Sequence, residues 1–393
     1  MLSFLTKAPQ SRRTLLFGSA MHIWSDLYFA LMVPLLPLMQ EDLDLSLIEV
    51  GLLRSVFSGA TAVLQIPMGL LAESAGEFWL LIWGNVWVSV GLVGMALSAG
   101  FAMLLVVSFF AGLGGGAQHP LASSMVSRAY DDRGRSTAVG TVNFAGDIGK
   151  MIAPLLAAVI AVQFGWRTTL WVVGLAGIVF MAFSAATRRR LDIGKPVRRE
   201  AADSDGDAED TRVSAFVALS WIGFLDSATR GSALVFLPFV MTAKDMRITE
   251  ISIMLFLLFV GGAAGKFVVG WLGDRYSFIS LVWATKGLTA VTLALSLVAP
   301  PLALVPLMLA LGAGLNGTSS ILYATVADFV PARRRARLYG IYYTTNEGGS
   351  ILAPPLYGLV GELLSLNVAM LAMAVATLAI LPVSLTLRRH LAG

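Results

Sequence analysis

Apolar residues run along this chain in long unbroken stretches, separated by short polar, charged or Gly/Pro breaks. A bilayer core needs about 20 mostly apolar residues per helix. By that measure the pattern predicts twelve spans: 14–39, 50–72, 78–98, 101–126, 136–163, 168–187, 213–241, 250–272, 278–298, 302–327, 338–361 and 366–387. Strands of a membrane barrel would show short alternating runs instead. The seventh span is the weakest, because Asp226 and Arg230 interrupt it. The first run is too long for a cleavable leader, carries Asp26 and lacks a small-x-small cleavage site, so no leader is expected. The expected fold class is all-α integral membrane, with twelve transmembrane helices.

One polar connector is long. Residues 188–212 open with Arg188, Arg189 and Arg190 and carry Asp203, Asp205, Asp207, Glu209 and Asp210 in their second half. Such a composition cannot bury a core, so it predicts a solvated cytoplasmic linker. A basic segment touching anionic lipid is the alternative. The domains expected are an N-terminal six-helix half (1–187), the linker (188–212) and a C-terminal six-helix half (213–393). Twelve spans put both termini on one side. That side carries twenty Lys and Arg in its loops and ends, and the other only Arg167, Lys244 and Arg247. The positive-inside rule then predicts cytoplasmic termini and residence in the cell's inner (plasma) membrane.

Composition agrees. The chain is 57% hydrophobic and 13% charged over 393 residues, against about 25% charged in soluble domains. A water-soluble globule, a nucleic-acid binder and a disordered scaffold are therefore not expected. Cysteine is absent, and His22, His119 and His390 are too few and scattered for a metal site. No metal and no cofactor are expected.

The chain repeats itself. At a shift of 200 residues Arg133, Arg135, Gly140, Gly149, Ala153, Pro154 and Leu156 meet Arg333, Arg335, Gly340, Gly349, Ala353, Pro354 and Leu356. Seven identities in that window exceed the roughly two that ordinary composition would give. Gly112 and Gly114 meet Gly312 and Gly314, Asp26 meets Asp226, and Asp147 meets Glu347. Six helices separate equivalents, an even number, so the two repeats have parallel topology. Two short loops also correspond: Gly69-Leu70-Leu71-Ala72-Glu73-Ser74-Ala75-Gly76 and Gly270-Trp271-Leu272-Gly273-Asp274-Arg275. Glycine there would let helices approach closely, and the acid and base would pair or cap helix ends.

The two six-helix halves, the charged central connector and these loops resemble the major facilitator superfamily over nearly the whole chain. The loop motif is well kept at Gly270, Asp274 and Arg275. It is degraded around Gly69 and Glu73, where Ser74 and Glu77 replace expected basic residues. Gly146-Asp147-Ile148-Gly149 followed by Ala153-Pro154 is similar to the superfamily's antiporter motif, a bendable, small-residue helix. The alternative is ordinary Gly and Pro usage in membrane helices. Together with Gly114-Gly115-Gly116-Ala117-Gln118-His119-Pro120, this stretch resembles the fosmidomycin-resistance group of drug exporters.

A charge at the bilayer centre costs about 2.5–3.5 kcal/mol on insertion scales, and this chain places many there. Asp226 and Arg230 sit four apart, Asp147 and Lys150 three apart, and His22 and Asp26 four apart, so each pair can share a helix face. Asp26, His119, Asp147 and Glu347 are the proton-coupling candidates, since a desolvated carboxylate or an imidazole can change charge in the cell's pH range. For His119 a packing role is equally open. Arg54, Lys150, Asp226, Arg230 and Lys266 are the substrate-binding candidates, cations being suited to carboxylate or phosphonate. Arg54 could instead snorkel to the interface, and Asp226–Arg230 could be a structural or gate pair. Lys286 is left out, because the resemblance implies a peripheral ninth helix. Trp24, Tyr28, Phe29, Tyr323, Tyr342 and Tyr343 could be aromatic walls, packing residues or interface anchors.

The expected function is a secondary transporter of a small anionic or zwitterionic organic solute, working by rocker-switch alternating access. No phosphate-binding loop for ATP occurs. The resemblance implies proton coupling, export and a monomer, with protons, the solute and the lipid bilayer as partners; no enzyme activity is expected, because no Ser–His or paired-Asp arrangement and no metal cluster stands out. Uptake symport of an organic anion, or a membrane sensor or scaffold that does not transport, are the alternatives.

Overall fold

Long apolar stretches become long helices because a backbone in hydrocarbon must satisfy its own hydrogen bonds. The computed structural model describes residues 10–130, 132–188, 213–273, 275–329 and 335–391. They form α1 (Gln10–Leu43), α2 (Leu47–Ala75), α3 (Glu77–Ala96), α4 (Phe101–Gly115), α5 (Gln118–Arg128), α6 (Asp132–Leu156), a π-helical turn (Ala157–Ala161) and α7 (Val162–Ala186). The second half gives α8 (Val213–Thr242), α9 (Ile248–Leu272), α10 (Phe278–Val298), α11 (Pro301–Phe329), α12 (Arg335–Leu363), α13 (Leu366–Leu378), α14 (Ile380–Leu385) and α15 (Arg388–Leu391). The connector from residue 189 to 212 and Asp274 lie outside the described residues, as do the side chains of Glu73 and His119.

Among the described residues, nine helical stretches are long and apolar enough to cross a membrane. One of them, Thr137–Ala186, has 50 residues and contains two legs. It bends at Gly165, whose φ of 80° and ψ of 171° lie outside the helical region and suit a residue with no Cβ. Two further helices, Val213–Thr242 and Arg335–Leu363, reach 30 and 29 residues but fall short in hydropathy. They carry Asp226, Arg230, Asn346 and Glu347, so the polar residues that dilute the apolar signal are also the candidate functional ones. With these the legs number twelve, matching the spans read from the sequence.

The chain divides into two compact units, Met1–Leu43 with Val56–Ala201, and Asp44–Ser55 with Ala202–Gly393. The first turns of α2 thus belong to the second unit. Unit 1 packs Phe17, Met21, Phe78, Leu81, Leu121 and Met125 into its core. Unit 2 packs Phe216, Leu219, Val282, Leu322, Phe329 and Ile380. Large apolar side chains also face outward, among them Val63, Trp83, Phe267 and Leu302. In water such a surface would aggregate, whereas lipid accepts it.

The repeat has a packing reason. A Cβ on Gly149 of α6 would collide with the Ile23 carbonyl oxygen and lie 3.0 Å from the Leu27 nitrogen of α1. A Cβ on Gly349 of α12 would collide with the Phe224 carbonyl oxygen and lie 2.9 Å from the Ala228 nitrogen of α8. Each unit therefore presses one helix pair together at the same glycine. The turns after α1 and α8 correspond too: Asp44 and Asp245 both adopt positive φ, a conformation Asp tolerates better than most residues.

Candidate functional site

In unit 1 the close approach of α6 to α1 builds a charged cluster. Gly146 lies directly against the His22 ring and the Asp26 carboxylate, so any larger residue would displace them. Asp26 is 1% exposed, and His22 Nε2 lies 3.7 Å from its Oδ2. Lys150 Nζ reaches Asp26 Oδ2 at 3.0 Å and Asp147 Oδ1 at 3.2 Å. One ammonium is shared by two carboxylates. Unlike the Asp147–Lys150 pair, the Lys150–Asp26 contact crosses between helices, which spacing along the chain cannot reveal. Pro154 follows on α6, and the helix loosens into the π-helical turn just beyond it.

Unit 2 inverts the arrangement. Asp226 on α8 accepts from Arg230 Nη1 at 3.3 Å through Oδ2 and from Lys286 Nζ of α10 through Oδ1. Lys286 also donates to the Gly314 carbonyl at 3.2 Å. One carboxylate is shared by two cations. Glu347 on α12 accepts from Ser350 Oγ at 3.2 Å and lies within electrostatic reach of both Arg54 and Arg230. Beside them Tyr323 stacks on Tyr343, with ring centroids 4.9 Å apart, and meets Tyr342 edge-on at 5.7 Å. Asn346 Nδ2 donates to the Tyr323 hydroxyl at 3.0 Å.

Several expectations need revising. Lys286, left aside as peripheral, is 1% exposed and bonded to Asp226. A lysine in an apolar helix needs a counter-charge, and that requirement was the sequence signal for it. Arg54 does not snorkel to the interface, being 4% exposed on α2. Lys266 is half-buried on α9. Among the described residues Gly69 mediates no close helix approach, since a Cβ there would meet nothing within 4 Å.

The corresponding second loop has Arg275 over the Trp271 ring at 4.0 Å. In the first loop Glu77 is buried and pairs with Arg128 at the end of α5. A charge pair thus persists where the expected basic residues are missing. The unit 1 aromatics pack: Tyr28 bonds Ser89 at 2.7 Å, Trp24 leans on Phe180, and Phe29 meets Phe57. Among the described residues no group of His, Asp or Glu is placed to hold a metal ion.

Paired charges inside twelve apolar legs, built twice, describe a membrane protein with a polar interior function. The family model described as Major Facilitator Superfamily matches residues 16–217 and 219–392. The chain belongs to this superfamily. It is a multi-pass inner-membrane transporter of organic solutes, with two repeats of six helices. It is 26% identical over 285 residues to the fosmidomycin resistance protein of Escherichia coli, covering 71% of this chain and 70% of that one. It is 25% identical over 333 residues to the gentisate transporter of Corynebacterium glutamicum, covering 81% and 74%. A probable L-galactonate transporter of Escherichia coli is 24% identical, with 63% and 56% covered. In fold it is similar to a bacterial homolog of the human lysosomal transporter Spinster, with a TM-score of 0.81, 16% identity and 98% of both chains covered. A nucleoside transporter superposes with the same TM-score of 0.81 at 13% identity, covering 95% and 99%.

Proposed function

We propose that this superfamily member is a proton-coupled exporter of a small anionic or zwitterionic organic solute. The observation that carries this reading is the opposite charge balance of the two clusters. In unit 1 one ammonium serves Asp26 and Asp147 with His22 alongside, a set of two carboxylates and an imidazole that can take up a proton. In unit 2 Arg230, Lys286 and Arg54 outnumber Asp226 and Glu347, a set that suits an anion. Protonation in one half and anion binding in the other would each bias the same alternating-access equilibrium, which is the thermodynamic content of coupling.

Two relatives are named for gentisate and L-galactonate, both carboxylates, and one for fosmidomycin resistance. The first two favour an anionic solute and the third favours export. The asymmetry of basic residues between loops supports cytoplasmic termini. The superfamily resemblance supports a functional monomer.

Purified protein reconstituted in liposomes would be given labelled gentisate or L-galactonate and a pH gradient of either sign. Flux against the solute gradient, driven by protons and reduced in Asp26→Asn and Asp147→Asn while solute exchange persists, is the expected result. Unchanged pH-driven flux in both variants would remove proton coupling at these carboxylates. Accumulation of solute on the proton-poor side in the symport sense would replace export by uptake.

A further inference from the structure

Asp226 offers one oxygen to each of two cations, and it does not serve them equally. Its Oδ1 takes the Lys286 ammonium closely, and both side chains are 2% exposed. Lys286 is further fixed by the Gly314 carbonyl at 3.2 Å. Arg230 is held more loosely, with Nη1 at 3.3 Å from Oδ2, Nη2 at 3.4 Å from Ser227 Oγ, and a side chain 20% exposed. A guanidinium has five N–H donors in a planar fork, and among the described residues these two long contacts leave most of its capacity unspent. Inside a low-dielectric interior the wholly buried Lys286 attracts the carboxylate more strongly than the partly exposed Arg230 does.

The surroundings of Arg230 suit a flat ligand. Tyr323 and Tyr343 stack 4.9 Å apart with ring planes 24° from parallel. Arg230 lies within electrostatic reach of both Tyr323 and Tyr342. An aromatic ring beside a guanidinium is the combination that recognises an aromatic carboxylate, through ring contact and a two-pronged N–H to oxygen bond. Glu347 also lies within electrostatic reach of Arg230, and of Arg54 as well, so it too has a second cation to occupy it.

We propose that Lys286 is a positioning residue: by holding Asp226 it keeps that carboxylate from closing on Arg230, and so leaves the guanidinium open to the carboxylate of an aromatic organic anion. Without Lys286, Asp226 would turn both oxygens to Arg230 and compete with the solute from within the protein. This inference rests on the reading that unit 2 takes an anion.

The test is direct binding of gentisate, with benzoate and L-galactonate as comparators, to purified full-length protein, alongside thermal unfolding of each variant. Lys286→Met weakens gentisate binding by about tenfold or more. Asp226→Asn tightens it, and the double variant Lys286→Met/Asp226→Asn returns close to wild type. Lys286→Arg keeps most of the affinity. Those opposite signs are what a purely structural ion pair cannot produce. If the single variants only lose stability and their folded fraction binds as wild type, the proposal is overturned while the anion reading stands. Should Lys286→Met fail to fold, Asp226→Asn decides: tighter gentisate binding supports the proposal, and affinity unchanged or lost overturns it. If wild type binds none of the three anions, the anion reading falls and this inference with it.

Discussion

Asp26 and Asp226 are the same residue in two copies of one ancestral half, and their surroundings have become opposites. Asp26 shares Lys150 with a second acid, and Asp226 is itself shared by Arg230 and Lys286. At the repeat spacing the acids are kept, Asp26 with Asp226 and Asp147 with Glu347, whereas the cations are not. Lys150 corresponds to Ser350, Arg230 to Ala30 and Lys286 to Val86. The glycines that press the helices together, Gly149 and Gly349, are also kept. Packing and carboxylate positions were held while the cations moved, and that is how two similar scaffolds acquire opposite electrostatic sign.

The largest effect tests the shared scaffold beneath this difference. Gly149→Val and Gly349→Val each force a side chain into facing backbone, and each is expected to cost about 3 kcal/mol or more. Both should lose monodisperse protein on gel filtration. If one unit tolerates its valine, the two interfaces are not equivalent.

Next comes the cation of unit 1. Lys150→Met removes the ammonium that Asp26 and Asp147 share, with an expected destabilisation of about 3–5 kcal/mol. Lys286→Met should cost less, since Asp226 keeps Arg230. Thermal unfolding in detergent at neutral pH ranks the pair, and the reverse order would mean that burial outweighs charge balance.

A smaller and more specific effect concerns orientation of the cation. Arg230→Lys keeps the charge and loses the planar fork, so gentisate affinity should drop about three- to tenfold with little change in unfolding temperature. At the bottom of the scale, Arg247→Ala removes an exposed pair with Glu250 at the start of α9. Neither transport nor unfolding temperature should move. A measurable loss there would assign that surface a role outside both clusters.

Much of this was legible in the chain. The spans follow from hydropathy, because a helix in lipid must be apolar over about 20 residues whatever it packs against. Pairs within one helix were legible as well: Asp226 with Arg230, Asp147 with Lys150, and His22 with Asp26 share a face by the 3.6-residue turn. What the pattern misplaced was Lys286, because sequence says that a lysine is in an apolar helix but not which neighbour it meets. Arg54 was open for the same reason. The break inside the fourth span, at Gly116 and Ala117, and the bend at Gly165 depend on local backbone geometry that hydropathy does not record.

The sequence by itself determined the membrane class, the twelve helical legs, the duplication and the acids that recur within it. Those properties are additive along the chain or periodic within one helix, so they need no knowledge of neighbours. The tertiary structure alone decided that Lys150 joins α6 to α1, that Lys286 reaches Asp226 from α10, and that Tyr323 stacks on Tyr343 within electrostatic reach of Arg230. Each of those depends on the rotation of a helix about its own axis and on which helix lies next to it, and side-chain packing across the whole unit sets both.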